Sequence, residues 1–155
     1  MSPSPAPVAE FLAGRRFAVA GVSRQPSETA NHVFRKLRGA GYDVVPVNPA
    51  ASEVEGVACY PNLAAVPGEL DGVVLVTPSA AALDLVRQCA ARGIRRVWFH
   101  RSFGDGSVSA DAAREAEKLG LVALVGGCPL MYLEPVDFGH RCMRSWLAFR
   151  GRVPR

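Results

Sequence analysis

Long hydrophobic stretches are absent from this sequence of 155 residues. A membrane-crossing helix needs roughly 18 or more consecutive apolar residues, and every apolar run here is shorter. The first residues, MSPSPAPVAEF, also lack the basic segment and apolar stretch of a secretory signal. We therefore expect a cytoplasmic protein that contacts no membrane. Residues 1–7, rich in Pro and Ser, are expected to form a flexible tail, and residues 8–155 to form one domain.

Cysteine is scarce, and the four cysteines form neither a Cys-x-x-Cys pair nor a zinc-type spacing. The sequence therefore predicts no metal site, and a reducing compartment accounts for the isolated thiols. Cys59 and Cys89 stand in apolar segments and are expected in the core. Cys128 follows the last apolar segment and has two interpretations, a redox-sensitive thiol or a buried structural residue, of which we favour the second.

An excess of charge of one sign is also lacking, since the formal net charge is only +4. Nucleic-acid binding requires a basic surface together with a recognisable reading module, and the sequence contains no such module. A mild positive balance suits an anionic small molecule equally well. We therefore expect a small-molecule ligand and no nucleic acid.

Short apolar segments alternate with helical ones along the chain. The segments that predict strands are Arg15–Val22, Tyr42–Pro49, Val57–Pro61, Asp71–Ser79, Ile94–His100 and Leu121–Gly127. Helical periodicity appears in residues 30–41, 80–93, 107–120 and within 137–149. This alternation is typical of the α/β class. It predicts a single Rossmann-like domain whose mostly parallel sheet has helices on both faces.

Local residue types refine this prediction. Pro46 cannot donate a hydrogen bond to a neighbouring strand, so the second strand is expected to be weakly paired on one side. Ser79 is expected to cap the helix that follows it. In that helix, the predicted apolar stripe consists of Leu83, Val86 and Ala90.

The turn after the first strand, GVSRQPSET, combines features that suit a diphosphate. Gly21 allows the backbone to approach a ligand, Ser23 and Ser27 offer hydroxyl groups, and Arg24 offers a positive charge. The following helix presents unpaired N–H groups and the positive end of its dipole. The alternative is an ordinary tight turn in which Ser27 caps the helix and Arg24 is solvated. Because several features coincide in one turn, we favour the phosphate hypothesis.

Two nucleotide-binding fingerprints are missing. The turn has neither the later glycines of G-x-G-x-x-G nor the Lys of G-x-x-x-x-G-K-[ST]. A dinucleotide site also places an acidic residue after the second strand, where this chain has Val47, Asn48 and Pro49. Asp43 lies at the wrong end of that strand. The sequence therefore argues against NAD and against ATP hydrolysis.

The segment VTPS, at the end of the strand beginning at Asp71, repeats the pattern of a strand followed by a helix. Thr77 is placed to contact a ligand in the same cleft, and Pro78 shapes the entry into the helix. Helix capping alone explains this segment about as well.

These motifs, in this order, resemble a known family. The segments AVAGVSRQPSETANHVFRKLRGAGYDVVPVNP, VVLVTPS, VWFH and GGCP resemble the bacterial stand-alone coenzyme A-binding domain proteins. Those proteins are similar to the N-terminal domain of the succinyl-CoA synthetase alpha subunit. The resemblance extends from about Phe11 to Pro154, and its most specific parts are the G-x-S-x-x-P turn and GYDVVPVNP.

The resemblance implies a Rossmann-type domain that binds CoA through its ADP part. It implies contacts with the diphosphate from Gly21, Val22, Ser23, Arg24 and Ser27. It implies that Val47, Asn48 and Pro49 lie near the 3′-phosphoribose and the adenine. It also implies that Thr77 and Pro78 lie along the second side of the cleft.

The chain departs from the family pattern in two places. Many members carry a basic residue directly after VNP, where this chain has Ala50 and Ala51, so that Arg24 becomes the candidate partner of the 3′-phosphate. Many members also have Gln-Gly after the VW strand, where this chain has the longer loop His100–Ser107. The acyl or pantetheine end of the ligand is therefore expected to differ.

Catalytic candidates are few. His100 follows a strand end, where it either lines the cleft or faces solvent, His32 lies within a helix, and His140 stands in DFGHRCMRSW. The phosphorylated histidine of the related ligase lies outside the matching domain, so ligase activity is not implied.

We therefore expect a non-catalytic sensor, carrier or regulatory module for CoA or an acyl-CoA. A homo-oligomer is compatible with this role. Two alternatives remain open: a nicotinamide-binding enzyme or redox sensor, and the CoA-site subunit of a larger acyl-CoA synthetase.

Overall fold

The computed structural model describes residues 4–101 and 106–154. The strands in these ranges are β1 (Arg16–Ala20), β2 (Asp43–Val47), β3 (Glu53–Val54), β4 (Val57–Ala58), β5 (Gly72–Leu75), β6 (Arg96–Phe99) and β7 (Val122–Val125). The helices are α1 (Ala6–Leu12), α2 (Thr29–Gly39), α3 (Ser79–Ala91), α4 (Ala110–Lys118) and α5 (Phe138–Phe149), with 3₁₀ turns at Leu63–Ala65 and Pro129–Met131. No helix in the described ranges is long and apolar enough to cross a membrane.

Five parallel strands form the main sheet, in the order β2-β1-β5-β6-β7. The chain moves outward from β1 to β2, then crosses back over β1 to add β5. The strand order therefore reverses between β1 and β5, and in sheets of this type the ligand crevice lies at such a reversal.

The edge strand β2 is weakly paired on its outer side, as predicted from Pro46. On its outer side it receives only a short contact, in which Tyr60 N–H donates to the Pro46 carbonyl over 3.1 Å and Asn48 N–H donates to the Tyr60 carbonyl over 2.9 Å. Of the predicted edge strand Val57–Pro61, Val57–Ala58 (β4) pairs with β3 in a small antiparallel hairpin, and Tyr60 forms a single parallel bridge to Val47 of β2.

Helices cover both faces of the sheet, as predicted for the Rossmann-like class. Phe17 and Val19 of β1 point into one core, which also receives apolar residues of α1, α2 and α5. Ala18 and Ala20 point into the opposite core, which is completed by α3 and α4. This alternation follows from the two-residue repeat of a strand that is buried on both sides.

Helix α1 begins at Ala6, so the last two residues of the predicted tail are helical, while residues 1–3 lie outside the described ranges. Its Phe11 ring stacks on Phe17 at a centroid distance of 4.9 Å and meets Trp98 edge-on at 5.4 Å. The helix therefore closes the end of one core.

The expected Ser79 cap of α3 is wrong, and Ser27, the cap in the alternative interpretation of the first turn, does not cap α2. The residue that caps α2 is Glu28, and Pro78 precedes α3, whose first residue is Ser79; neither helix has a side-chain hydrogen bond at its cap. The caps fail because each helix starts one position away from where its serine would be useful. The first N–H groups of both helices are thus left without a side-chain acceptor from their caps.

Gly21 lies where the end of β1 approaches the end of β5 closely. Its φ of +104° is in the region that favours glycine, and an added Cβ would lie 2.1 Å from the Val76 carbonyl oxygen. Gly21 N–H donates to the Val47 carbonyl over 2.9 Å, and Val76 N–H donates to the Ala20 carbonyl over 3.0 Å. Three strand ends therefore meet at a position that has no room for a side chain.

We predict that Gly21→Ala destabilises the protein much more than Gly41→Ala does. Gly41 has a comparable φ of +94° but no atom within 4 Å of an added Cβ, so its substitution costs only the backbone strain, about 1–2 kcal/mol. For a chain of this size, about 1 kcal/mol lowers the thermal midpoint by about 2–4 °C. Calorimetry should show a decrease for Gly21→Ala at least about twice that for Gly41→Ala. Equal midpoints would show that the close approach is easily relieved.

Candidate functional site

A cavity of about 640 Å³ opens at the carboxyl ends of β1, β2 and β5, at the reversal of strand order. Seven of the ten predicted site residues line it: Gly21, Ser23, Val47, Asn48, Pro49, Thr77 and Pro78. The structure thus brings the three predicted turns together around one space. Of the other three residues, Val22 is buried and Ser27 is exposed, and neither lines this cavity.

The turn after β1 is held from behind by Asn31, a buried polar residue of α2 that is 1% exposed. Its Oδ1 accepts from Ser23 N–H over 3.0 Å, and its Nδ2 donates to the Ser23 carbonyl over 2.8 Å. The Ser23 hydroxyl oxygen accepts from Gln25 N–H over 3.0 Å. Because both backbone groups of Ser23 are engaged, the turn keeps its shape without a ligand.

The same network reaches the β3–β4 hairpin. Asn31 Nδ2 also donates to Glu55 Oε1 over 2.8 Å, and Arg35 forms an ion pair with that oxygen over 2.5 Å. A second Arg35 nitrogen, Nη2, donates to the Pro26 carbonyl over 2.8 Å. The hairpin is thereby fastened to the first turn, which explains why it lies beside the site.

Asn48 connects the second turn to the first. Its Nδ2 donates to the Val22 carbonyl over 2.9 Å, and its Oδ1 accepts from Ala50 N–H over 2.8 Å. Both polar atoms of the side chain are therefore occupied within the protein. Asn48 positions the cavity wall, whereas Val47 and Pro49 beside it present mainly apolar surface.

On the β5 side, Ser107 fixes Thr77. Thr77 N–H donates to Ser107 Oγ over 2.7 Å, and that hydroxyl donates to the Thr77 carbonyl over 2.5 Å. Thr77 Oγ1 is buried and has no hydrogen-bond partner within the described part of the chain. Ser107 belongs to the loop His100–Ser107 in which this chain departs from the family pattern, and residues 102–105 of that loop lie outside the described ranges.

One face of α3 forms a wall that the sequence interpretation missed. Ala81, Asp84, Leu85 and Gln88 line the cavity. Gln88 is held in place, since its Oε1 accepts from Leu63 N–H over 2.9 Å and its Nε2 donates to Asp84 over 2.6 Å. Their spacing of three and four residues is a helical face, but the predicted stripe was centred on Leu83, Val86 and Ala90. Of these three, Val86 is buried as predicted, whereas Leu83 and Ala90 are only half-buried. The buried face consists of Ala82, Leu85, Val86 and Cys89, so it is rotated relative to the prediction.

Charge is distributed unevenly around the cavity. Arg24 is exposed and lines an adjoining depression of about 230 Å³ together with Ser23 and the β3–β4 hairpin, and it makes no ion pair within the described residues. Glu28, at the start of α2, lines the main cavity. An anion in the cavity would therefore meet the positive end of α2 and a carboxylate at the same point.

The histidines and the buried thiols lie elsewhere. His100 is buried and does not line the cavity, so both expectations for it are wrong; burial and the nearby His140 lower its pKa to about 4. Burial raises the pKa of Cys128 to about 12, as expected for a structural cysteine. Cys59 and Cys89 are buried as predicted. His32 is exposed on α2, outside the cavity.

Asp43 is at the opposite end of the sheet, as the sequence indicated, where its carboxylate pairs with Arg16 over 2.9 Å. Throughout the described ranges, no group of three or more His, Cys, Asp or Glu side chains is arranged to hold a metal ion. The cavity itself combines an apolar wall, a glycine turn and a helix start without a side-chain cap. This arrangement is suited to a nucleotide with its phosphates at the helix start.

Comparison with known proteins agrees with this geometry. The family model described as "CoA binding domain" matches residues 15–134. The alpha subunit of the ADP-forming acetate–CoA ligase II of Pyrococcus furiosus is 31% identical over 110 residues, which are 70% of this chain and 24% of the subunit. The uncharacterized protein YneT of Bacillus subtilis is 37% identical over 71 residues, 45% of this chain and 53% of YneT. This chain thus spans about a quarter and about half of these two relatives.

A solved structure has a similar fold along nearly its whole length. A hypothetical protein from Pyrococcus horikoshii superposes with a TM-score of 0.77 at 28% identity, covering 88% of this chain and 98% of the other. The family model spans β1 to β7 and thus includes the three turns around the cavity. This chain belongs to the family of CoA-binding domains.

Proposed function

We propose that the cavity between β1 and β5 binds coenzyme A or an acyl-CoA through its ADP moiety, and that the chain acts without catalysis of its own as a sensor, carrier or regulatory module. The observation that carries the proposal is the cavity's position, at the reversal of strand order within the part of the chain matched by the CoA-binding family. A CoA ligand also accounts for the glycine turn that lacks a dinucleotide fingerprint.

The cavity suggests a direction for the ligand. The diphosphate would lie against the turn at Gly21–Arg24 and the first N–H groups of α2. The adenine would lie between the apolar surfaces of Pro49, Pro61 and Leu85, with Asp84 available to accept a hydrogen bond from the adenine amino group. This placement leaves Arg24 beside the adjoining depression, where a 3′-phosphate would find its charge.

A second candidate function is the CoA-site subunit of a larger acyl-CoA synthetase. The similarity to the acetate–CoA ligase subunit favours it. Because this chain covers only 24% of that subunit, a partner chain would have to supply the remaining parts. Purification of the tagged chain from its native source tests this role. A synthetase subunit recovered in equal amount would support it, and recovery of the chain alone would favour the stand-alone module.

We predict that CoA binds at least about tenfold more tightly than NAD or ATP, a difference of about 1.4 kcal/mol. The physical reason is that the second strand ends in Val47, Asn48 and Pro49 rather than in a ribose-binding acid, while Asp43 is paired with Arg16 at the far end. Isothermal titration calorimetry with the three ligands under one salt condition measures this. Tighter binding of NAD would overturn the CoA proposal in favour of the nicotinamide alternative.

We predict that Arg24→Ala weakens CoA binding by roughly ten- to a hundredfold. A charge-assisted hydrogen bond to phosphate is worth about 1.5–3 kcal/mol, and about 1.4 kcal/mol corresponds to tenfold. Arg114→Ala on α4 is the control, since it also removes an exposed arginine but away from the cavity, where it pairs only with Asp111 on the same helix. Calorimetry should show little change for the control.

Dephospho-CoA separates two roles of Arg24. If Arg24 meets the 3′-phosphate, Arg24→Ala loses the wild-type preference for CoA over dephospho-CoA. If Arg24 meets the diphosphate, both ligands weaken equally. An Arg24→Ala protein that binds both ligands as well as wild type would contradict the phosphate role.

We predict that Glu28→Gln tightens CoA binding, by up to about fivefold. The carboxylate at the start of α2 repels the diphosphate, and interactions between exposed charges are worth up to about 1 kcal/mol. Glu117→Gln, on the exposed face of α4, makes the same change in net charge away from the cavity. A gain in affinity for both variants would show a general charge effect. Unchanged or weaker binding of Glu28→Gln would place the phosphates away from this helix.

A further inference from the structure

A second cavity, of about 540 Å³, lies between α2 and the start of α5. The side chains around it are those of Thr29, His32, Arg35, Lys36, Leu130, Asp137 and His140. Four of these seven are basic or imidazole side chains, and one is a carboxylate. None of them lines the cavity between β1 and β5 or the depression beside Arg24. We refer to this space as the second cavity.

Lys36 gives the second cavity a positive charge whose position is fixed. Its Nζ donates to the Pro135 carbonyl over 2.6 Å, and this contact joins α2 to the segment before α5. An ammonium group has three donors, so two remain for a ligand. Within residues 4–101 and 106–154, no carboxylate forms an ion pair with Lys36. The charge is therefore held by a neutral partner and stays available to an anion.

Arg35 determines which ring nitrogen of His32 carries the proton. Arg35 Nη2 lies 3.1 Å from His32 Nδ1, and a guanidinium group can only donate. His32 Nδ1 therefore accepts, and the proton of the neutral ring is on Nε2. Arg35 is also engaged by Glu55 and by the Pro26 carbonyl. His32 thus offers an N–H donor, and Arg35 is a positioning residue.

Asp137 orients the imidazole of His140 in the opposite tautomer. Its Oδ1 accepts from the backbone N–H of His140 over 3.0 Å, and its Oδ2 lies 2.5 Å from His140 Nδ1. The hydrogen bonds from the backbone and the ring of His140 hold the pKa of Asp137 below its usual value. The ionised carboxylate can only accept, so Nδ1 of His140 carries a proton. In the neutral ring, Nε2 is then an acceptor.

We propose that the second cavity binds a phosphate group, either as inorganic phosphate or as the phosphate of a small metabolite, between Lys36, His32 and His140. The cavity is within the size range of small-molecule sites, roughly 300–1,000 Å³. Thr29 adds a hydroxyl group to its wall, and Leu130 adds an apolar surface for the organic part of a metabolite.

The mixture of donors and an acceptor favours phosphate over a carboxylate. Lys36 Nζ and His32 Nε2 donate, whereas Nε2 of neutral His140 accepts. A carboxylate only accepts, so it would leave neutral His140 unmatched. A singly protonated phosphate group has both acceptor oxygens and a P–OH donor, and because its second pKa is about 6 this form is present near neutral pH. One phosphate group therefore matches all three side chains.

The proposal does not depend on CoA binding. The linings of the two cavities have no residue in common. We therefore expect phosphate to bind equally well with and without saturating CoA. Loss of phosphate binding when CoA is added would show that the second cavity holds one of the phosphates of CoA, and it would overturn the proposal of a separate site.

NMR signals of the imidazole rings test the site directly. Titration with inorganic phosphate, at constant pH and with NaCl exchanged to keep the ionic strength constant, should shift the ring signals of His32 and His140 along one saturable curve. The absence of saturable shifts would overturn the proposal. Acetate is the second probe, and acetate binding as tight as that of phosphate would overturn the assignment to phosphate.

Two variants identify the donors. Lys36→Met should weaken phosphate binding at least about tenfold, because it removes a charge-assisted hydrogen bond. Lys118→Met is the matched control, since it makes the same change at an exposed lysine of α4 and should bind like wild type. His32→Ala, at an exposed position, should weaken binding about threefold or more. Circular dichroism checks that each variant is folded. Equal losses in the two lysine variants, or wild-type affinity in both Lys36→Met and His32→Ala, would contradict the site.

A phosphate monoester distinguishes the two sources of the ligand. Tighter binding of glycerol 3-phosphate than of inorganic phosphate would indicate a metabolite whose organic part contacts the cavity wall. Equal or weaker binding would indicate inorganic phosphate itself. Either order supports the site, whereas failure of both to bind would overturn it.

Discussion

The close approach of backbone to backbone at Gly21 is the constraint on which the site depends. With no side chain, Gly21 lets the end of β1 lie against the Val76 carbonyl while its N–H reaches Val47. The ends of β2, β1 and β5 are thereby drawn together at the reversal of strand order. The cavity exists because these ends meet and the chain then diverges into α2 on one side and α3 on the other. A β-carbon at this position would separate the walls.

Two asparagine amides keep that arrangement in place. Asn31 holds both backbone groups of Ser23 from inside α2, and Asn48 joins the second turn to Val22. Each amide offers a donor and an acceptor in a fixed geometry, and both ends are satisfied within the protein. The turns are thus organised before a ligand arrives, so binding need not supply the ordering free energy. The proposed CoA site is in this sense largely pre-formed.

The alternation of strands and helices, and with it the parallel sheet, was predictable from the sequence. Strands buried on both faces, such as Gly72–Leu75, are continuous apolar runs, and their alternation with helices indicated the parallel sheet. The three turns of the cavity followed from the same pattern. The β3–β4 hairpin was missed because strands of two residues carry no periodicity. The expected Ser79 cap was wrong because a helix start depends on the local backbone, which a single residue does not determine.

The cavity's remaining walls depend on tertiary placement. Asp84, Leu85 and Gln88 became recognisable as site residues only once the rotation of α3 was known. Asn31 did leave a signal, since it is a polar residue among the buried positions Ala30, Val33 and Phe34 of α2. A polar side chain on an apolar helix face generally has a specific partner, here the backbone of Ser23. The sequence shows that Arg24 and Glu28 are charged. It does not show that Glu28 lines the cavity while Arg24 lines the adjoining depression.

Hydrogen–deuterium exchange measured with and without CoA tests the central claim most directly, because it locates the ligand as well as detecting it. If CoA binds in this cavity, it slows exchange in residues 21–31 and 76–88, two of the chain segments that border the cavity, and leaves α5 unchanged. Protection confined to residues 32–39 and α5, or no protection in either segment at saturating CoA, would contradict this claim.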